Sequence, residues 1–196
     1  MRSNFYIVAG LAAFALAVLY PGYWIIELSF LEEDFDNGQI INGLHPNDVL
    51  FLVVGVLNAA FYLFIRRVLV DDHNYTKLNI VFSLMVALCA VFYGGTFVLD
   101  MLHGIVSQTL LLDILLFVSV GCLIAFGILD LVIGALLIVE KTEMPTLIKA
   151  YALVSIVLGF LELTVIGSPL SLFVFPISAL LMGIHFMRPP EVIEIV

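Results

Sequence analysis

The sequence predicts an all-α fold, a polytopic bundle of about six transmembrane helices with both termini in the cytoplasm. Three observations lead to this prediction. Of the 196 residues, 63% are hydrophobic and only 12% are charged. The apolar residues form six long runs, and every Lys and Arg lies in alternate gaps between those runs, at the start of the fifth run or beyond the outermost runs. Because so little polar surface cannot cover a soluble globule of this length, we expect the lipid bilayer to cover most of the chain.

The apolar runs are predicted to be helices because the core of a bilayer holds no water to satisfy peptide groups. They are apolar on every face, which excludes the alternating pattern of a β-barrel. A helical span needs roughly 20 apolar residues. The predicted spans are 5–28, 49–65, 78–99, 110–139, 145–166 and 170–186, within a single transmembrane domain of residues 1–196.

The first run begins like a secretory signal, but it stays apolar through Leu28, so we expect it to be retained as the first span. The second run begins after Asn47 and Asp48, residue types that suit a helix N-terminus. Between these two runs, residues 29–48 are predicted to form an acidic outer loop. At about twenty residues, it is the only predicted loop long enough to have a shape of its own.

The third run, 78–99, is bounded by Lys77 and Asp100. The fourth run is unusually long. At ~1.5 Å per residue its thirty residues reach about 45 Å, against a hydrocarbon core of about 30 Å, so this helix must tilt, kink or protrude. The fifth run starts at Pro145, and a Gly-Ser-Pro turn separates it from the sixth run.

The charges orient these spans. Lys and Arg in short loops mark the cytoplasmic side of a polytopic protein, and the acidic gaps then face outward. Short loops and outer segments without a glycosylation acceptor favour a multi-pass protein of a bacterial inner membrane. The formal net charge of −9 argues against nucleic acid as a partner. The basic residues are Arg2, Arg66, Arg67, Lys77, Lys141, Lys149 and Arg188.

Several kinds of chemistry are absent from the sequence. Cys89 and Cys122 each lie midway along an apolar run, which favours a role as small buried hydrophobic residues. The chain has no Cys/His ligand spacing, phosphate-binding loop, zinc-protease helix or serine-hydrolase elbow. We therefore expect a protein that is not an enzyme and that has no metal or cofactor site.

Four ionisable residues are predicted to lie at bilayer depth: Asp113, Asp130, Glu162 and His185. Placing an ionised side chain at bilayer depth costs free energy, so each of these groups needs a hydrogen-bonding or ionic partner, contact with water, or a neutral protonation state. Depths counted from the helix ends predict an outer cluster, in which Asp113 and Glu162 lie near Asp100 and His103, and an inner pair of Asp130 and His185. A proton or cation path is the functional interpretation. Snorkelling and interhelical hydrogen bonds are the structural one.

Other residues suggest helix packing. Asn58 lies in the middle of the second span, where an amide commonly bonds a neighbouring helix. Small residues at Ala9, Ala13 and Ala17, and at Gly127 and Gly134, would let helices approach closely, within the bundle or between protomers. The segments Gly127 to Leu131 and Gly159 to Leu163 repeat one pattern, which we attribute to chance. The many Phe residues are interpreted as lipid or core filling.

Two functions remain open from the sequence. The first is a non-catalytic membrane subunit that forms a homo-oligomer and acts as an anchor, sensor or regulator with a cytoplasmic partner protein, for instance in envelope stress or defence. The second is a small proton- or cation-coupled transporter or channel that uses the intramembrane carboxylates.

Overall fold

The computed structural model describes residues 2–37, 46–103, 105–140, 144–164 and 166–188. Over these residues the chain is helical almost throughout, and six helical segments are long and apolar enough to cross a membrane. The all-α, six-span fold predicted from the sequence is confirmed. The helices are α1 (Arg2–Asn37), α2 (Pro46–Arg67), α3 (Asn79–Cys89), α4 (Gly95–Met101), α5 (Gln108–Val139), α6 (Thr146–Leu163) and α7 (Ser168–Met187).

The six spans form a closed ring in chain order, in which α3 and α4 together make the third span. Each span packs against its neighbours in sequence, and α1 packs against α7 to close the ring. Contacts along the helices show antiparallel pairs: on α1 and α2, Tyr23 meets Phe51 at 5.0 Å between ring centroids and Phe5 meets Phe64 at 5.4 Å, and α1 with α7 and α5 with α6 are likewise antiparallel. An up-and-down ring of this kind brings all odd-numbered connections to one end and all even-numbered connections to the other.

The two ends of the ring differ in charge. We call one the acidic end, defined by Glu27, Asp48 and Asp100. We call the other the basic end, defined by Arg66, Arg67, Lys77, Lys149 and Arg188. The separation of Lys and Arg along the sequence therefore becomes a separation along the axis of the bundle.

Helix α1 is longer than the predicted first span. It runs without interruption through Pro21 and continues to Asn37, so the first part of the predicted acidic loop is helical. The second helix begins at Pro46, three residues before the predicted span. Residues 38–45 of the predicted loop lie outside the described residues. The loop was predicted from the loss of apolar residues after Leu28, and that loss marks the end of an apolar run without marking the end of a helix.

The third span contains one π-helical turn, Ala90–Gly94, between α3 and α4. Such a turn inserts an extra residue into the helix and changes which side chains face inward. Here it directs two consecutive aromatic residues, Phe92 and Tyr93, into the ring. Gly55 on α2 makes room for this turn, because a Cβ at Gly55 would overlap the Tyr93 ring.

Helices α5 and α6 cross closely through three glycines. A Cβ built on Gly159 would lie 2.6 Å from the carbonyl oxygen of Gly127, and one built on Gly134 would lie 2.6 Å from that of Ala152. These contacts align the two helices near the basic end. Since α5 has 32 residues and α6 has 18, α5 extends past α6 by about 20 Å at the acidic end.

Polar contacts tie the helices together at the basic end. The Tyr75 hydroxyl donates a 2.8 Å hydrogen bond to the carbonyl of Leu136, and Lys77 Nζ lies 3.7 Å from a Glu140 carboxylate oxygen. Burial and the neighbouring Glu140 raise the pKa of Tyr75 to about 12, so the hydroxyl keeps its proton and remains a donor at neutral pH. The connection between α2 and α3 is thereby attached to the end of α5.

The basic half of the ring is filled by apolar side chains. Ile65 on α2, Phe82 on α3, Ile133 on α5, Ile148 on α6 and Phe186 on α7 are all fully or almost fully buried. Solvent reaches no more than 2% of the surface of any of these residues. In this conformation the interior of the ring is therefore closed toward the basic end.

Candidate functional site

A cavity of about 360 Å³ lies in the acidic half of the ring. All six spans contribute to its wall, and α6 does so through Glu162 in its last turn. The overhang of α5 beyond α6 accounts for the space, because no α6 residue faces the segment of α5 around Ser119 and Val120. A volume of this size is within the range of roughly 300–1,000 Å³ that is typical of small-molecule sites.

Aromatic side chains form a large part of the cavity wall. Helix α1 contributes two aromatic side chains one turn apart, and α7 contributes a ring that lies 4.6 Å from the first of them, between centroids. Helix α2 contributes one, and the π-helical turn and α5 contribute the rest, with Phe92 and Phe126 in edge contact at 6.3 Å. The aromatic side chains of the wall are Tyr20, Trp24, Tyr62, Phe92, Tyr93, Phe126 and Phe175.

Two polar groups in the wall have unsatisfied acceptor atoms. Asn58 is 95% buried and donates its amide to the Tyr93 hydroxyl at 3.2 Å, while its Oδ1 has no hydrogen-bond partner among the described residues. The Glu162 Oε2 atom is buried and likewise has no partner there. Buried acceptors without donors are uncommon in native proteins and call for an explanation. A ligand or water that donates hydrogen bonds would satisfy both.

Glu162 has a second carboxylate near it. Asp130, on α5, is only 3% exposed, and its carboxylate interacts electrostatically with that of Glu162. The α5–α6 crossing accounts for this proximity. Asp130 follows Gly127 by three residues, and Glu162 follows Gly159 by three residues. Because the two helices are antiparallel, the acids lie on opposite sides of the glycine contact, about 9 Å apart along the helix axes.

The two segments of α5 and α6 that share a sequence pattern contact each other in the structure. A Cβ on Gly127 would meet Leu163 Cγ at 3.0 Å, and a Cβ on Gly159 would meet Leu131 Cγ at 2.7 Å. The segments Gly127 to Leu131 and Gly159 to Leu163 therefore face each other in nearly equivalent ways, related by a local two-fold axis. The pattern that we attributed to chance marks the centre of a helix crossing.

Hydroxyl and thiol groups surround the deeper carboxylate. Tyr62 lines the cavity and interacts electrostatically with both Asp130 and Glu162. Tyr151 and Cys89 interact with Asp130 from α6 and α3. The Tyr151 hydroxyl has no hydrogen-bond partner among the described residues. The polar interior therefore extends from the cavity, past Glu162 and Tyr62, to Asp130.

The structure groups the intramembrane acids differently from the sequence prediction. Glu162 lies with Asp130, whereas Asp113 is exposed on the overhanging part of α5. Asp100 is instead near Asp48 and Glu27, at the acidic end. The prediction counted depth from the ends of each helix, and it failed because α5 extends far beyond α6. The outer end of α6 therefore lies level with the middle of α5.

His185 lies half-buried in the last turn of α7, at the basic end, and makes contacts there.

The acidic-end residues have their own polar contact, in which the Asn47 amide donates to the Glu27 carboxylate. No group of three His, Cys, Asp or Glu residues in the described ranges is arranged to hold a metal ion.

The predicted packing residues all lie inside the chain's own bundle. Ala9 and Ala13 are fully buried and Ala17 is 7% exposed, so this stripe does not face outward toward a second copy. Gly127 and Gly134 face α6, and Asn58 connects α2 to the third span.

Sequence reasoning missed the aromatic wall. Phe92 and Phe126 were interpreted as lipid or core filling, and Tyr20 and Trp24 have the composition of an interfacial belt. One signal was available: Tyr20, Trp24 and Leu28 recur at four-residue spacing and therefore share a helix face.

Comparisons with protein families, curated proteins and solved structures gave no match for this chain.

Proposed function

We propose that this chain is a non-catalytic, proton- or cation-coupled transporter of the cell membrane, in which Glu162 and Asp130 are successive binding stations. The observation that carries the proposal is the pair of carboxylates in the ring interior. Two like charges in an apolar interior repel each other, and a proton or cation bound at either carboxylate relieves that repulsion. Glu162 is reached from the cavity, and Asp130 lies behind it.

The test is a flux measurement on the full chain reconstituted in liposomes that contain a pH-sensitive dye. With a potassium diffusion potential imposed through valinomycin, we expect the internal pH to change faster than in protein-free liposomes, and faster again when a cation gradient is added. Rates equal to those of protein-free liposomes under both gradients would remove the transport proposal.

The sequence-based alternative, a sensor or regulatory subunit, is favoured by a different observation. The cavity ends blindly, because buried apolar side chains fill the basic half of the ring. A receptor needs a site that is open on one side only, and α5, which lines the cavity, is attached at the basic end to the α2–α3 connection through the contact of Tyr75 with Leu136. A chain that binds a ligand without any flux, and that copurifies with a partner protein or as a defined homo-oligomer, would favour this second function.

The proposal includes an orientation, with the basic end in the cytoplasm of a bacterial inner-membrane protein. In a background where Cys89 and Cys122 are replaced by Ala, we expect Lys149→Cys to react with a membrane-impermeant maleimide only after permeabilisation. Thr109→Cys, near the start of α5, is expected to react in intact cells. The opposite labelling pattern would invert the orientation and assign the cavity to the cytoplasmic side.

A further inference from the structure

The chemistry of the cavity indicates which kind of cation it accepts. We propose that the cavity binds a small organic ammonium ion, a protonated amine with an apolar body. This inference rests on the proposed function and names the substrate class of the same site. It depends on three features of the wall: the unsatisfied acceptors, the aromatic faces and the charge.

The two unsatisfied polar atoms are both acceptors. Asn58 uses one of its two amide N–H groups to bond Tyr93, and its Oδ1 is left unsatisfied, as is Oε2 of Glu162. A ligand that satisfies both atoms must therefore bring at least two hydrogen-bond donors. An alkylammonium group carries two or three N–H donors on one nitrogen. A ligand that only accepts hydrogen bonds would leave both atoms unsatisfied.

The charge of the wall favours a cation. Glu162 is the only ionisable residue with a carboxyl, amino or guanidino group among the described residues that line the cavity, and no Lys or Arg lies there. An anion would meet a carboxylate with no positive charge to offset it. An ionic contact in a low-dielectric, apolar surrounding is stronger than the same contact in water.

The aromatic rings favour an organic cation over a metal ion. Apolar atoms contribute most of the wall, and Glu162 supplies its single carboxylate among the described lining residues, with neutral amide and hydroxyl oxygens as the other ligands, whereas hard cations are commonly held by several carboxylate and carbonyl oxygens. An ammonium group is attracted to the faces of Trp and Tyr, and an apolar body fills the space between Phe126 and Phe175. The volume of about 360 Å³ limits the ligand to a small molecule.

The chain carries its own reporter, because Trp24 is the single tryptophan and lines the cavity. We would titrate the full chain in lipid nanodiscs with phenethylammonium chloride and follow the Trp24 fluorescence. The matched neutral probe is 2-phenylethanol, which replaces the ammonium group by a hydroxyl. We expect a saturable change with the ammonium probe and at least tenfold weaker binding of the alcohol. Equal affinities would overturn the inference, and so would the absence of any saturable change.

A variant tests the role of the carboxylate. Glu162→Gln is expected to weaken phenethylammonium binding at least tenfold while it leaves 2-phenylethanol binding unchanged, and Asp113→Asn, on the exposed face of α5, should match the parent. If Glu162→Gln retains full affinity for the ammonium probe, the inference fails. If the variant does not fold, the preference of the parent protein for the ammonium probe decides the question without it.

The result of the binding experiment is independent of the result of the flux assay. Binding in nanodiscs requires no gradient, so a parent chain that prefers the ammonium probe but moves no protons would support this inference and contradict transport. A chain that carries protons or inorganic cations but shows no preference for the ammonium probe would contradict this inference and leave transport standing.

Discussion

Asp130→Asn is expected to abolish the flux that the parent chain supports in liposomes, with at least a tenfold fall toward the rate of protein-free vesicles. The amide has nearly the shape of the carboxylate, but it does not take up and release a proton at neutral pH. Asp130 is only 3% exposed, so an acid on the surface of the bundle cannot take over its position in the interior. Glu162→Gln is expected to have the same effect, because it removes the first station.

The control for this experiment lies on the same helix. Asp113 is exposed on the overhanging part of α5, away from the carboxylate pair, so Asp113→Asn should carry protons at the parental rate. A parental rate in Asp130→Asn would show that the deeper carboxylate has only a structural role. Circular dichroism and size-exclusion profiles of each variant separate a loss of transport from a loss of fold.

Gly159→Ala is expected to destabilise the bundle by about 3 kcal/mol, at the upper end of the range for overpacking a buried contact. The added methyl group would lie 2.6 Å from the Gly127 carbonyl oxygen and 2.7 Å from Leu131 Cγ. A backbone oxygen cannot rotate away as a side chain can, so the two helices must separate. That separation also moves Asp130 away from Glu162.

A matched control for the glycine prediction is Gly121→Ala on α5, where no atom lies within 4 Å of the added methyl group. This change should be neutral or slightly stabilising, because Ala favours helix over Gly by up to about 1 kcal/mol. Unfolding of the purified chain by titration with a denaturing detergent measures both variants. Equal stability of Gly159→Ala and Gly121→Ala would mean that the helices do not cross closely at this point.

The sequence was sufficient to predict the number of spans and their approximate positions, because the cost of exposing peptide groups to lipid leaves few alternatives. The end of α1 was not predictable in the same way. A polar helix beyond the membrane, such as the segment that ends at Asn37, has no apolar run to mark it. The π-helical turn at Ala90–Gly94 also has no strong local signal.

The candidate site was predictable only as a set of residue types. Asp130 and Glu162 were identified as costly charges, but their proximity depends on how far α5 extends past α6, and depth counting treated the helix ends as level. The aromatic wall was missed for a related reason. In an apolar chain, Phe126 facing a cavity and Phe117 facing lipid look the same in sequence, and only the packing of the other helices distinguishes them.

The contact that closes the ring has a consequence for biogenesis. Tyr20 on α1 meets Phe175 on α7, so α1 packs against a helix that is synthesised only after the four spans between them. At about 5–20 residues per second, α1 waits in the bilayer for on the order of ten seconds before that neighbour is synthesised. Until then its inward face, including Trp24, is accessible to lipids, insertion factors or a neighbouring nascent chain.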